Sequence, residues 1–116
     1  MLPKQYRLKK RTAFKATYKV KNSLHKGGVT LFAGILKRDN YPTKAGFVVS
    51  KKVHKRAVKR NRLKRLMRES YRLLLKQGDL GVSQKYMSLV FIGTEKALGK
   101  SFNEIMLNIK FLLENI

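Results

Sequence analysis

The sequence predicts a single α+β domain, with helices covering a mostly antiparallel sheet. Three observations lead there. Apolar residues make up 43% of 116, enough for one hydrophobic core. The apolar pattern switches between helical and strand-like periods along the chain. The charge is lopsided: residues 1–76 carry 24 Lys and Arg against Asp39 and Glu69, whereas residues 77–116 carry four of each sign. That split separates a polyanion-facing part from a neutral structural part.

The elements follow in order. Residues 1–11 are basic and extended in character. Thr12 is a candidate N-cap for a short helix from Ala13 to about Lys21. Phe14 and Tyr18, four apart, share a face of it, with Lys15 and Lys19 beside them. These rings are either ordinary core or a stacking platform for single-stranded bases. Asn22 to Gly28 reads as a loop. Val29 to Lys37 reads as a strand, with Phe32 on the face opposite Leu31. Arg38-Asp39-Asn40-Tyr41-Pro42 is a turn signal, and Lys44 to Lys51 returns as a second strand, so the two make a hairpin.

A helix is expected from about His54 to Lys76, where no Pro or Gly intervenes, and Gly78 stops it. At about 100° per residue, Leu63, Leu66, Met67, Ser70 and Leu74 share one side. Asn61, Arg65, Arg68, Arg72 and Lys76 fall opposite. Tyr86 to Ile92 is the most hydrophobic strand and is expected at the centre of the sheet. Ser101-Phe-Asn-Glu104 is a capping box opening the last helix, with Phe102, Ile105, Met106, Ile109, Leu112 and Leu113 as its apolar stripe.

Between Lys51 and Arg65, nine of fifteen residues are Lys or Arg and none is acidic. Unpaired ions are costly to bury, so this charge must meet water or an anionic partner. Arg56, Lys59, Arg60 and Arg62 ring the start of the helix, whose dipole and free N–H groups also favour phosphate. Nucleic acid is the partner this density predicts.

Other chemistry is not indicated. There is no cysteine, hence no disulfide framework or thiolate chemistry. His25 and His54 fit no metal-spacing motif, and the six carboxylates are scattered rather than clustered as metal-dependent nucleases require. No Walker-type glycine loop appears. Neither a signal-peptide apolar region nor a membrane-length apolar run occurs, so a cytoplasmic protein is expected.

Ser50-Lys51-Lys52, Ala57-Val58, Arg60-Asn61-Arg62, Leu63-Lys64-Arg65 and Arg68-Glu69 together resemble the protein subunit of bacterial ribonuclease P. The likeness extends more weakly over most of the chain, through Arg7-Leu8-Lys9-Lys10, Phe14, Tyr18 and Phe32. Three places depart from the family pattern: Lys21 where Gly is common, His54-Lys55-Arg56 in place of a Gly-Asn-type turn, and Gly93-Thr94-Glu95 without the usual Ala-Arg.

The resemblance implies an α/β sandwich of helix–three strands–helix–strand–helix order, with a mixed four-stranded sheet and a left-handed βαβ crossover. The third strand would come from splitting the hairpin region. It implies that an RNA subunit carries the catalysis and, with the substrate, holds the Mg²⁺ ions, while the protein has no catalytic residue or metal site. The partners implied are ribonuclease P RNA and precursor tRNA, with no membrane and no small-molecule substrate. Lys51, Lys52, Arg56, Lys59, Arg60, Asn61, Arg62, Lys64, Arg65 and Arg68 would bind RNA. Phe14, Tyr18 and Phe32 would line a cleft for the single-stranded 5′ leader. The alternative is a non-catalytic RNA-binding protein of ribosomal type. Enhanced cleavage of precursor tRNA by the RNA subunit at low Mg²⁺ separates the two.

Overall fold

The computed structural model describes residues 2–116. Its elements are α1 (Arg11–Lys19), β1 (Asn22–Lys26), β2 (Val29–Ala33), β3 (Lys44–Val48), α2 (Ala57–Gln77), β4 (Ser88–Gly93) and α3 (Phe102–Asn115). The four strands form one mixed sheet in the order β1-β2-β4-β3. β1–β2 and β2–β4 are antiparallel, and β3–β4 is parallel. The α+β class and the helix–three strands–helix–strand–helix order are as expected.

The hairpin expected between β2 and β3 does not exist. β4 lies between them, as its hydrophobicity predicts for a central strand: Leu89, Val90 and Phe91 are fully buried. β3 and β4 run parallel, which requires a crossover, and α2 supplies it. The additional strand does not come from splitting the hairpin region. It is β1, within the segment that reads as a loop. β1 is an edge strand with a single apolar residue, Leu24, so alternation gives it no signal. The real hairpin is β1–β2, with Lys26 opposite Val29. Gly27 and Gly28 both have positive φ (57° and 90°), the conformation a tight two-residue hairpin turn demands.

One face of the sheet carries the core. Val29, Leu31, Ala33, Ala45, Leu89 and Phe91 meet Leu63, Met67, Tyr71 and Leu74 of α2 and Ile105, Ile109, Leu112 and Leu113 of α3. The rings of Phe47 and Phe91 stack at 5.4 Å, and Tyr71 packs on Phe91 at 5.7 Å. Tyr71 joins the predicted apolar side of α2, whereas Leu66 is only half-buried. Burial pushes the Tyr71 hydroxyl up to about 12, against the opposing pull of the Gln84 amide that donates to it.

The helix ends follow local chemistry. Gly78 closes α2 at φ 71°, with the Gly78 and Asp79 N–H groups returned to Leu75 and Leu74 carbonyls. The capping box at Ser101 and Glu104 forms as predicted. Thr12 does not cap α1; the helix starts two residues earlier, at Arg11 after Lys10, without a side-chain cap. α2 starts at Ala57 rather than His54, because Ser50 to Arg56 is taken up by turns. Lys21, where the family commonly has Gly, sits at φ 60°.

Candidate nucleic-acid interface

The register defines the second sheet face. Ser23, Phe32, Val90 and Gly46 lie in one row across it, and His25, Thr30, Ile92 and Val48 in the next. α1 crosses this face and covers only part of it. Its seat is polar at one point: the Thr17 hydroxyl donates to the Ala13 carbonyl (2.8 Å) and meets the Ser88 hydroxyl at 2.6 Å. Gly34 leaves the room Ser88 needs, since a Cβ there would stand 2.3 Å from the Ser88 oxygen.

The three predicted aromatics gather on this face. Phe14 lies over Gly46, where a Cβ would come within 2.5 Å of its ring. Tyr18 meets Phe32 edge-on, with ring centroids 5.2 Å apart. All three rings are half-buried, as are Thr30, Val48 and Ile92 in the neighbouring row. Burial also raises the Tyr18 hydroxyl above its ordinary range. The result is an apolar cleft between α1 and the sheet, floored by β-branched residues and walled by aromatic rings. Sequence alternation puts Thr30 beside Phe32, but Val48, Ile92 and Gly46 join them only through the pairing order.

The cationic stretch begins where β3 ends. Lys51, Lys52, Arg56, Lys59, Asn61, Arg62 and Arg65 are exposed, whereas Arg60, Lys64 and Arg68 are half-buried. Among the described residues the ion pairs are Glu69–Arg72 and Asp79–Lys110, so none of these nine cations has a carboxylate partner. Glu69 is spent on Arg72, whose hydrogen bond holds the Glu69 carboxyl below its usual range.

Two arginines have structural partners. Arg60 Nη1 donates to the carbonyls of His54 (2.7 Å) and Lys55 (2.9 Å), folding the preceding turn against the helix. Within that turn the Arg56 N–H donates to His54 Nδ1 at 3.0 Å. Arg62 Nη2 reaches the Lys100 carbonyl at 3.4 Å, and Lys100 Nζ donates to the Gly27 carbonyl at 2.8 Å. His54 and Lys100 are parts of the platform that the sequence reading does not name as site residues.

Among the described residues no group of three or more His, Cys, Asp or Glu is placed to hold a metal ion. None of their helices is long and apolar enough to cross a membrane. The arrangement is that of an RNA-binding α+β domain: a cationic platform beside an apolar, aromatic-walled cleft.

Comparison with known proteins narrows that class. The ribonuclease P family model matches residues 2–116. The chain is 38% identical to the ribonuclease P protein component of Clostridium kluyveri over 109 residues, covering 94% of this chain and 92% of that one. It is 36% identical to the counterpart from Symbiobacterium thermophilum over 114 residues, covering 97% and 92%. Its fold superposes on the RNase P protein of Staphylococcus aureus with a TM-score of 0.73 at 25% identity, covering 96% and 94%. The chain belongs to the ribonuclease P protein family, the protein components of an endoribonuclease ribonucleoprotein.

Proposed function

We propose that this protein assists removal of the 5′ leader from precursor tRNA by ribonuclease P in the cytoplasm. The start of α2 and the turn before it bind the RNA subunit through its phosphates. The cleft between α1 and the sheet takes the single-stranded leader, whose unpaired bases stack on Phe14, Tyr18 and Phe32. Lys51 and Lys52, leaving the sheet just after β3, neutralise phosphates along the same strand. The carboxylates do not suit a protein-held Mg²⁺ site, because Glu69, Asp79 and Glu104 are engaged with Arg72, Lys110 and the Ser101 cap and, among the described residues, no three metal-binding side chains gather. The Mg²⁺ ions that activate water for this hydrolysis are held by the RNA subunit and the substrate. This chain's task is to position the leader and screen charge.

The observation that carries this reading is the juxtaposition of a half-covered aromatic cleft with nine cations free of any acidic partner. The test is reconstitution with a bacterial ribonuclease P RNA and precursor tRNA at low Mg²⁺. Cleavage should exceed that of RNA alone, and protein alone should not cut. Unenhanced cleavage, or cutting by the protein alone, refutes the proposal.

A further inference from the structure

A second groove lies on the opposite flank of α1 from the aromatic cleft. About 620 Å³ in volume, it is within the range of small-molecule sites. Ala13 and Ala16 form its α1 wall, and their small side chains leave it wide. The other wall is the segment joining β2 to β3, with Met87 beside it. Large apolar groups stand open to water there: Tyr41 is 71% exposed, Ile35 54% and Met87 47%. Such a concentration on one rim is what a binding surface leaves uncovered. Lys37, Arg38 and Lys44 line the same groove, with Asp39 as the one acid. A ligand that fits has a flat apolar body and a negative charge beside it.

We propose that this groove is a second nucleobase site, holding an unpaired base of single-stranded RNA while Lys37, Arg38 and Lys44 meet its phosphates. The occupant follows from complementarity. A neutral apolar peptide would leave three cations unanswered, and a bare phosphate would leave the Tyr41, Ile35 and Met87 surface wet. A nucleotide satisfies both, and an exposed tyrosine offers its ring face for stacking. Burial already lowers the Lys37 ammonium from its ordinary range, and an adjacent phosphate would restore it. The inference rests on the reading of this chain as an RNA-binding protein, and adds a site which that reading does not use.

Methyl NMR on the full chain separates the two sites, because Ile35 and Met87 report the groove and Ile92 reports the cleft. Titration with a short oligouridylate should shift the Ile35 and Met87 methyls saturably, whereas inorganic polyphosphate should not. Tyr41→Ala, a change at an exposed side chain, should weaken the oligouridylate response at Ile35 and Met87 by at least about fivefold, the effect of losing one stacked base. The Ile92 response should be unchanged. Equal shifts with polyphosphate would overturn the proposal, as would shifts at these methyls with an acidic peptide but not with RNA. A response at Ile92 alone would dispose of the groove and leave the leader cleft standing. Silence at both would remove both.

Discussion

Phe14→Ala tests the cleft most directly. The ring lies over Gly46 and is half-buried, so its removal has two separable costs. The first is packing: loss of a buried phenyl costs about 3–5 kcal/mol, and partial exposure here reduces that to about 1–2 kcal/mol. The second is stacking, about 1–3 kcal/mol if a leader base lies on the ring. The packing cost lowers the melting temperature and is the same whatever RNA is bound. The stacking cost appears only with a leader, as an affinity loss of about 5- to 150-fold. The assay is binding of the reconstituted ribonucleoprotein to precursor tRNA and to mature tRNA, alongside a thermal melt of the free protein. The ratio of the two affinities should fall while mature tRNA binding holds. Equal loss for both RNAs would return Phe14 to a purely structural role.

Four further outcomes are expected. Lys59→Ala and Arg65→Ala, at exposed cations without acidic partners, should each reduce the slope of log K against log salt for the RNA subunit by about 0.7–0.9; Arg60→Lys should keep the slope yet cost roughly 0.5–1.5 kcal/mol of affinity, because a lysine cannot reproduce the geometry at the His54 and Lys55 carbonyls, and unchanged affinity would deny the turn its importance. Lys21→Gly should raise stability by up to about 1 kcal/mol, since a left-handed lysine costs roughly 1–2 kcal/mol and glycine returns part of that as entropy; a lower melting temperature would contradict this. With Tyr71 pushed up to about 12, the folded chain keeps a proton that the unfolded chain loses at about 10, so stability should fall as pH rises through that interval by about 3 kcal/mol. Denaturation of Tyr71→Phe should lack that portion of the fall, and an identical pH profile would refute the assignment.

α2 and α3 are readable because each carries a long one-sided stripe and one chemically marked end, unlike the short, uncapped α1. Gly78 and the Ser101–Glu104 box mark their ends unambiguously. The strand pairing was not readable, for a physical reason. Alternation reports which face a residue takes but says nothing about which strand lies beside it. β1 is nearly polar because it packs little, and β2 and β3 are consecutive runs that invite a hairpin which the sheet does not contain. Gly27-Gly28 held the correct clue, since two adjacent glycines before an apolar strand suit a tight turn between paired strands. The aromatic site was accordingly half visible. Phe14, Tyr18 and Phe32 could be named from spacing and family likeness, but their closure over Gly46, Val48 and Ile92 depends on long-range register.

The Arg60-Asn61-Arg62 run shows why a motif in a basic helix need not be a row of equivalent phosphate ligands. Residues two apart on a helix point about 200° apart, so its arginines cannot serve the same neighbour. Arg60 turns back onto the His54 and Lys55 carbonyls, and Arg62 reaches the Lys100 carbonyl ahead of α3. Lys100 in turn holds the β1–β2 turn through the Gly27 carbonyl. The two arginines thus tie the β3–α2 turn, α2, the segment before α3 and the sheet edge into one unit, while exposed Asn61 lies between them. Each guanidinium still has unused N–H donors, which can face phosphate from a position the protein has already set. Lysine would supply the charge but not the fork. The geometry therefore gives the arginines a positioning role, and under the proposed function it leaves the graded salt dependence to neighbours such as Lys59 and Arg65, which have no side-chain partner among the described residues.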